Sequence, residues 1–304
     1  MMKTQDKNQP KRTSSDKPAV SVILLTYNRA DVLDATIGSI LSQTMENFEL
    51  IIADDASPDH TEEVCQRWAK SDSRIRYHRW PQNVGMPQNL NLGILASSGN
   101  YVAILHDDDV YRSDLLEKWR ACLDKHPNAA FVFNSYCALD MQAKPVKVYR
   151  EHLPECVCGR VLLEGIFFKR WLFDSPVWGT VMMRRSAFDR AVSFDERYSY
   201  WADVDMWMRL AENYDVCYID EPLIAVASRE ASPHQFADSF SRVQPLLERM
   251  FWEARMRHYH ARPIRRFGEA VRHWSFVATA HAWHFACAVN RQVRLSRRSD
   301  SKSL

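Results

Sequence analysis

The 304-residue chain lacks most of the signatures that announce a function at sight. No stretch approaches 18 uninterrupted apolar residues, which argues against a membrane-spanning helix. The N-terminus, MMKTQDKNQPKRTSSDKP, has no apolar signal core, so residues 1–17 read as a disordered polar tail and the protein is expected in the cytoplasm. There is no GxGxxG after the first apolar run, no GxxxxGKS/T and no HExxH. Those absences remove the dinucleotide fingerprint, the P-loop and the zincin helix. Seven cysteines occur, at 65, 122, 137, 156, 158, 217 and 287, without a CxxC pair. That spacing gives no zinc signal, and an odd count argues against a full disulfide framework. Reduced thiols are the expectation. His281 and His284, three apart, suggest no third metal ligand.

What is present is a packed-core composition, 46 % hydrophobic, with a hidden charge asymmetry. The net charge is +2, yet residues 1–18 carry +3 and residues 262–304 carry +7, leaving −8 for residues 19–261. A basic C-terminal segment on an acidic body suits an anionic partner. No aromatic-rich recognition motif supports nucleic acid. An anionic membrane surface, reached as a peripheral protein on its inner face, is the sharper expectation for residues 262–304. Packing on the catalytic domain or on a second copy, giving a homo-oligomer, is the alternative.

From residue 18 the pattern alternates. Val20–Leu25 is a β-branched apolar run, residues 30–43 have helical spacing, and FELIIADD reads as a second buried strand. SPDHTEEVCQRWAKS, RIRYHRW, MPQNLNLGILAS and YVAILH then read as helix, strand, helix and strand. Such alternation implies right-handed crossovers and a mainly parallel α/β sheet. Ligands collect at the carboxyl ends of such strands. Thr26-Tyr27-Asn28, Asp54-Asp55 and Asp107-Asp108-Asp109 fall at those ends. Beyond residue 130 the pattern loosens, with a strand at AFVFNSYCAL and mixed helix and loop over 160–190. A helix follows at DVDMWMRLAENY, then strand and loop at VCYIDEPLIAVAS, and helical periodicity from residue 236.

Three adjacent aspartates repel one another unless something compensates them. A hard divalent cation prefers oxygen ligands and often joins one or two carboxylates to a phosphate. A solvated acidic turn is the bland reading, weakened here because the run directly follows a buried strand. In ADVDMWMRL, Asp203 shares a helix face with Met206, Trp207 and Leu210, whereas Asp205 points elsewhere and pairs with Arg209 at i+4. Burial raises a carboxyl pKa toward values useful for a general base. Asp203 is therefore the candidate base and Asp205 the structural ion pair.

Taken in order, VSVILLTYNR, SILSQTMENFELIIADDASPD, NVGMPQNLNLGILASSGNYVAILHDDD and ADVDMWMRL resemble the family 2 glycosyltransferases of GT-A fold, over about residues 18–230. The resemblance implies a GT-A domain over 18–235, with a nucleotide-sugar half at 18–125 and an acceptor half at 126–235. A basic helical segment, 236–304, follows it. It implies inverting sugar transfer from a nucleotide diphosphate donor, UDP-linked by family frequency, with Mn²⁺ or Mg²⁺. The acceptor would be a saccharide or a lipid-linked saccharide in surface polysaccharide assembly. Matched by position, Thr26, Tyr27, Asn28, Arg29, Asp55, Asn83, Gly85, Asn91 and Asp107 would bind the donor nucleotide. Asp108 would bind the metal, with Asp109 and His234 as weaker candidates, and Asp203 would be the base.

This chain departs from the family at His106, Leu90, Ala202 and Arg229, where an acid, an Arg, a Glu and an Arg-x-His motif are common. Trp178 and Trp201 offer aromatic faces for an acceptor sugar, with Asp205 beside them. A nucleotide-sugar-binding scaffold without turnover is the runner-up. A nucleotidylyltransferase would need a Gly-rich basic loop where TYNRADV stands.

Overall fold

The computed structural model describes residues 17–140, 142–168, 177, 179–227, 233–260 and 268; the side chains of Ile166 and of residues 233–244 are outside that description. Trp178, Arg229, most of residues 262–304 and the side chain of His234 therefore lie outside it. The chain divides into two compact units, Met1–Asp238 and Ser239–Leu304. In the second, a helix that begins at Pro233 continues to His258. Among the described residues no helix is long and apolar enough to cross a membrane.

The first unit is built on one ten-stranded mixed sheet. Its strands are β1 (Val20–Thr26), β2 (Phe48–Asp54), β3 (Ile75–Arg79), β4 (Tyr101–Leu105), β5 (Val110–Tyr111) and β6 (Ala129–Leu139). They continue as β7 (Pro145–Tyr149), β8 (Cys156–Val157), β9 (Val181–Arg184) and β10 (Asp215–Val226). The order is β3-β2-β1-β4-β9-β6-β10-β5, with β7 on β6 and β8 on β10. The ladders β3-β2-β1-β4 and β6-β10 are parallel and hold most of the paired residues. Strand β9 enters between β4 and β6 antiparallel to both. Its four residues, VMMR, are too few for a periodic signal, and the sheet around them fixes their state.

Helices α1 (Leu33–Leu41), α2 (Thr61–Ser71) and α3 (Met86–Leu95) connect the parallel strands, and α4 (Leu115–Lys125) precedes β6. Strands β2 and β4 are buried along their whole length, which is why they read as unbroken apolar runs rather than alternations. The exception is Glu49 in β2. Its carboxylate accepts from Ser21 Oγ at 2.8 Å, Ser98 N at 2.7 Å and Arg76 Nη1 at 3.2 Å, so the buried charge is satisfied.

At the carboxyl edge the backbone turns sharply. Asn28 and Ala56, just past β1 and β2, have φ of 56° and 60°. The Asn28 N–H donates to Ser57 Oγ at 3.0 Å, tying the two turns together. Ser57 in turn is held by Asp54, whose Oδ1 accepts from its N–H at 2.9 Å and its hydroxyl at 2.5 Å. Tyr77 OH donates to Asp54 Oδ2 at 2.6 Å. The first acid of the ADD run is thus part of the frame.

Candidate functional site

Four segments of the first half meet at this edge, and residues from the second half face them across a cleft of about 560 Å³. Thr26, Tyr27, Arg29, Asp55, Asn83, Gly85, His106, Asp107 and Asp108 line one side. Gly179, Phe194, Tyr200, Asp203 and Trp207 line the other.

Each wall residue is held by identifiable bonds. Asp55 Oδ1 accepts from Val84 N at 2.7 Å and Oδ2 from Gly85 N at 3.0 Å, so one carboxylate shapes the Asn83–Gly85 loop. Gly85 has φ of 84°, a conformation glycine adopts without penalty, and it opens α3. The aspartate loop is pinned from α1: Thr36 Oγ1 lies 3.1 Å from the Asp107 carbonyl oxygen and 2.9 Å from that of Asp109. Buried Tyr111 grips the same loop, its hydroxyl accepting from His106 N and donating to the His106 carbonyl, each at 2.8 Å. Arg29 Nε stands 3.6 Å from Asp107 Oδ1. Thr26 Oγ1 is buried in the wall with no protein hydrogen-bond partner.

Asp203 lies in the first turn of α7, the helix Ala202–Ala211. (Helices α5 and α6 are Gly159–Leu162 and Arg185–Ala191.) On α7, Met206, Trp207 and Leu210 are buried. Almost the whole of α7 is buried, Asp205 included, while Asp203 is half-buried and lines the cleft. Burial pushes its pKa up to about 7, against main-chain bonds from Val204 N, at 2.7 Å, and from its own N–H, which favour the ionised form. Its Oδ2 and the His106 ring crowd one glycine. A Cβ on Gly179 would stand 2.9 Å from His106 Nε2 and 3.2 Å from Asp203 Oδ2. On its other side, His106 Nδ1 lies 3.8 Å from buried Asp109. His106 therefore sits between the aspartate loop and Asp203, a place that sequence reasoning left unassigned.

Several residues named from the sequence are elsewhere. Asn91 does not line the cleft: its Nδ2 donates to the Phe194 carbonyl and its Oδ1 accepts from the Phe194 N–H, each at 2.9 Å. It clamps the far wall to α3. We expect Asn91→Ala to cost about 1–3 kcal/mol of stability, from two lost bonds at a buried segment. Nucleotide-induced thermal shifts should stay at the wild-type size; a lost shift in a folded variant would return Asn91 to the donor site.

Asp205 is buried and bonded to Arg209 Nε at 2.7 Å, away from the cleft. That matches the ion pair and leaves Asp205 outside the cleft lining. Asp109 is buried behind the loop rather than in the lining. Asn28 is exposed on the rim, outside the lining. Trp201 is also outside it, and Tyr200 lines the cleft instead. Ser199, with φ of 48° and ψ of −124°, breaks the 3-10 turn before α7.

The lining named above carries four carboxylates, Asp55, Asp107, Asp108 and Asp203, against one guanidinium, Arg29. A diphosphate would be repelled there unless a cation entered with it. Hard oxygen donors with no thiol among them suit Mg²⁺ or Mn²⁺, so Asp108, with Asp107, fits the role of holding one.

A sequence profile of Glycosyl transferase family 2 matches residues 21–192, more than half of the chain. An uncharacterized glycosyltransferase of Haemophilus influenzae is 28 % identical over 62 % of this chain and 60 % of its own length. A Bacillus subtilis protein, TuaG, named as a glycosyltransferase of teichuronic acid biosynthesis, is 34 % identical over 46 % of this chain and 54 % of its own. The chain thus spans somewhat over half the length of these relatives. Among solved structures, S. aureus TarS in complex with UDP-GlcNAc superposes with a TM-score of 0.61 at 20 % identity, covering 78 % of this chain and 66 % of TarS. The mannosyltransferase PcManGT of Pyrobaculum calidifontis, with GDP-Man and Mn²⁺, gives 0.54 at 18 %, covering 88 % and 80 %. These neighbours share the GT-A fold. The match over residues 21–192 covers more than half of the chain, and the chain belongs to glycosyl transferase family 2.

Proposed function

We propose that this protein is an inverting glycosyltransferase that moves a sugar from a nucleotide diphosphate donor, UDP-linked by default, to a saccharide or lipid-linked saccharide acceptor in surface polysaccharide assembly. One observation carries the reading. A carboxylate with its pKa raised to about 7 faces the same cleft as the Asp107-Asp108 pair. A raised base opposite a cation-ready carboxylate pair is what displacement of a diphosphate by a hydroxyl requires. The names of TuaG and TarS's bound UDP-GlcNAc are consistent with it.

In this mechanism Asp203 takes the proton of an acceptor hydroxyl. The acceptor oxygen forms its bond to the anomeric carbon while the bond to the diphosphate breaks, the electron pair leaving with the diphosphate. Attack from the opposite face inverts the carbon. Mn²⁺ or Mg²⁺ held by Asp108, when bound, supplies the charge that offsets the departing diphosphate. Thr26, Tyr27, Asp55, Asn83 and Gly85 hold the nucleotide, and Asp107 and Arg29 flank it. Tyr200, 80 % exposed at the rim, offers its ring to the acceptor sugar. Residues 18–125 act as the donor half and 126–235 as the acceptor half.

A thermal-shift screen of nucleoside diphosphates and their sugars, with and without Mn²⁺, tests the donor part. Stabilisation by one base, larger with Mn²⁺, is expected. No shift with any nucleotide would refute donor binding. Residues 262–304 carry a net +7 and suit an anionic membrane surface near a lipid-linked acceptor. Co-sedimentation with anionic vesicles should fall for a chain ending at residue 261; equal sedimentation would remove the membrane part.

A further inference from the structure

Away from the donor cleft, four side chains from three elements converge at the end of α4. Cys122 and His126 stand four apart, on its last turn and its C-terminal cap, and so share a face. Cys217 lies in β10, fully buried. One ligand atom from each of the three falls within 4.8 Å of the other two. Cys156, in β8, is the register partner of Cys217 in the antiparallel β8–β10 pair, which puts both side chains on one face. The α4 pair, Cys156 and Cys217 are distant from one another in sequence, so no CxxC spacing announces them.

The chemistry fits a soft cation. In a tetrahedral zinc site, metal–sulfur and metal–nitrogen bonds of about 2.3 and 2.0 Å set neighbouring ligand atoms about 3.5–3.8 Å apart. Closing Cys122, His126 and Cys217 around an ion needs a movement of about 1 Å or less per ligand on that geometry, and Cys156 must approach farther to join them. The imidazole is already braced: Glu155 Oε1 lies 2.9 Å from His126 Nε2 and 2.8 Å from Lys125 Nζ. A ring that donates Nε2–H to Glu155 would keep its lone pair on Nδ1, the nitrogen left for a cation. A carboxylate on the second nitrogen of a ligating histidine is the usual way such a ring is oriented. Lys125 would temper the negative charge of three thiolates. A neighbouring cavity of about 490 Å³, with Cys122, Lys125 and Glu155 in its wall, gives an ion access. Thiolate and imidazole ligands favour Zn²⁺ over the hard cations suited to Asp108.

We propose that Cys122, His126 and Cys217 bind one Zn²⁺, with Cys156 as the fourth ligand, in a structural site that ties the end of α4 to β8 and β10. None of the four lines the donor cleft. The site therefore contributes stability rather than chemistry, and a closed four-ligand set is the structural form of zinc coordination.

Co²⁺ added to the reduced, chelator-treated full chain tests this. We expect one equivalent to give thiolate-to-cobalt charge-transfer and tetrahedral d–d absorption, displaced by Zn²⁺, with a rise in melting temperature. Cys122→Ser should weaken the charge-transfer band by about one third, because Cys156 and Cys217 remain as thiolate ligands. His126→Gln should weaken binding at least about 10-fold. Cys158→Ser, on an exposed thiol, and Asp108→Asn should leave the spectrum intact. His126 is half-buried, so its variant keeps the test open if a buried cysteine variant fails to fold. Absence of a charge-transfer band in the folded chain, a band unchanged in both Cys122→Ser and His126→Gln, or loss of two thiols to a disulfide in place of metal uptake would overturn the proposal.

Discussion

Asp203→Asn should lose about 10²- to 10⁴-fold of sugar-transfer or donor-hydrolysis rate while gaining thermal stability at neutral and higher pH. The rate loss is the usual contribution of a positioned general base. The stability gain follows from the same burial. Folding raises the Asp203 pKa from its ordinary 3.8 to about 7. Below about 4 the carboxyl is protonated in both states, and the burial of its charge costs nothing. Between 4 and 7 the folded state holds a proton that the unfolded state releases, so stability falls as pH rises. Above 7 the full cost of a buried charge is present. An amide carries no such charge and can still accept from Val204 N. The melting temperature of the variant should therefore exceed wild type at pH 8, and the gap should close toward pH 4. Nucleotide-induced shifts should persist. A variant with full activity would remove the base, and one less stable than wild type at pH 8 would contradict the cause given for the raised pKa.

Asp108→Asn should abolish the Mn²⁺-dependent part of donor stabilisation and slow transfer by about 10²-fold or more. A bound cation supplies several kcal/mol of charge stabilisation to such a departure, and each 1.4 kcal/mol is a factor of ten. The fold should survive, because Asp108 lies in the cleft wall and the loop is held by Thr36 and Tyr111 through main-chain atoms. Removing one of three adjacent negative charges should leave the metal-free protein as stable as wild type or slightly more so. Calorimetric titration of Mn²⁺ with nucleoside diphosphate measures this directly. Unchanged Mn²⁺ dependence would move the cation elsewhere in the cleft.

The donor side of the sheet was legible because its strands are buried on both faces. Apolar runs such as VSVILL and ELIIA stand out, and each ends in a polar cluster where a parallel sheet places its ligands. Helix spacing put Asp203 beside Met206, Trp207 and Leu210, and it does line the cleft, but spacing did not show that Asp205, on the other side of α7, is the more deeply buried of the two. Asn91 shows where spacing stops. Its position near the cleft was readable, but the turn of its side chain toward Phe194 depends on a segment 103 residues away. Trp201 was chosen for its aromatic face alone, and which aromatic of the turn before α7 lines the cleft depends on the fold. His106 needed Gly179, which meets it only across the folded site. Cys122, Cys156 and Cys217 come together through pairing of β8 with β10 and packing against α4, which no local pattern encodes.

The account rests on a carboxylate that titrates near neutrality and acts as a base. The pH profile of kcat/KM for the donor, followed by hydrolysis or transfer with Mn²⁺ present, reads the free enzyme's base. We predict a plateau above about 7, the value burial gives Asp203, and a fall of about tenfold per pH unit below it. A profile flat from neutral pH down to the ordinary carboxylate range would contradict the claim.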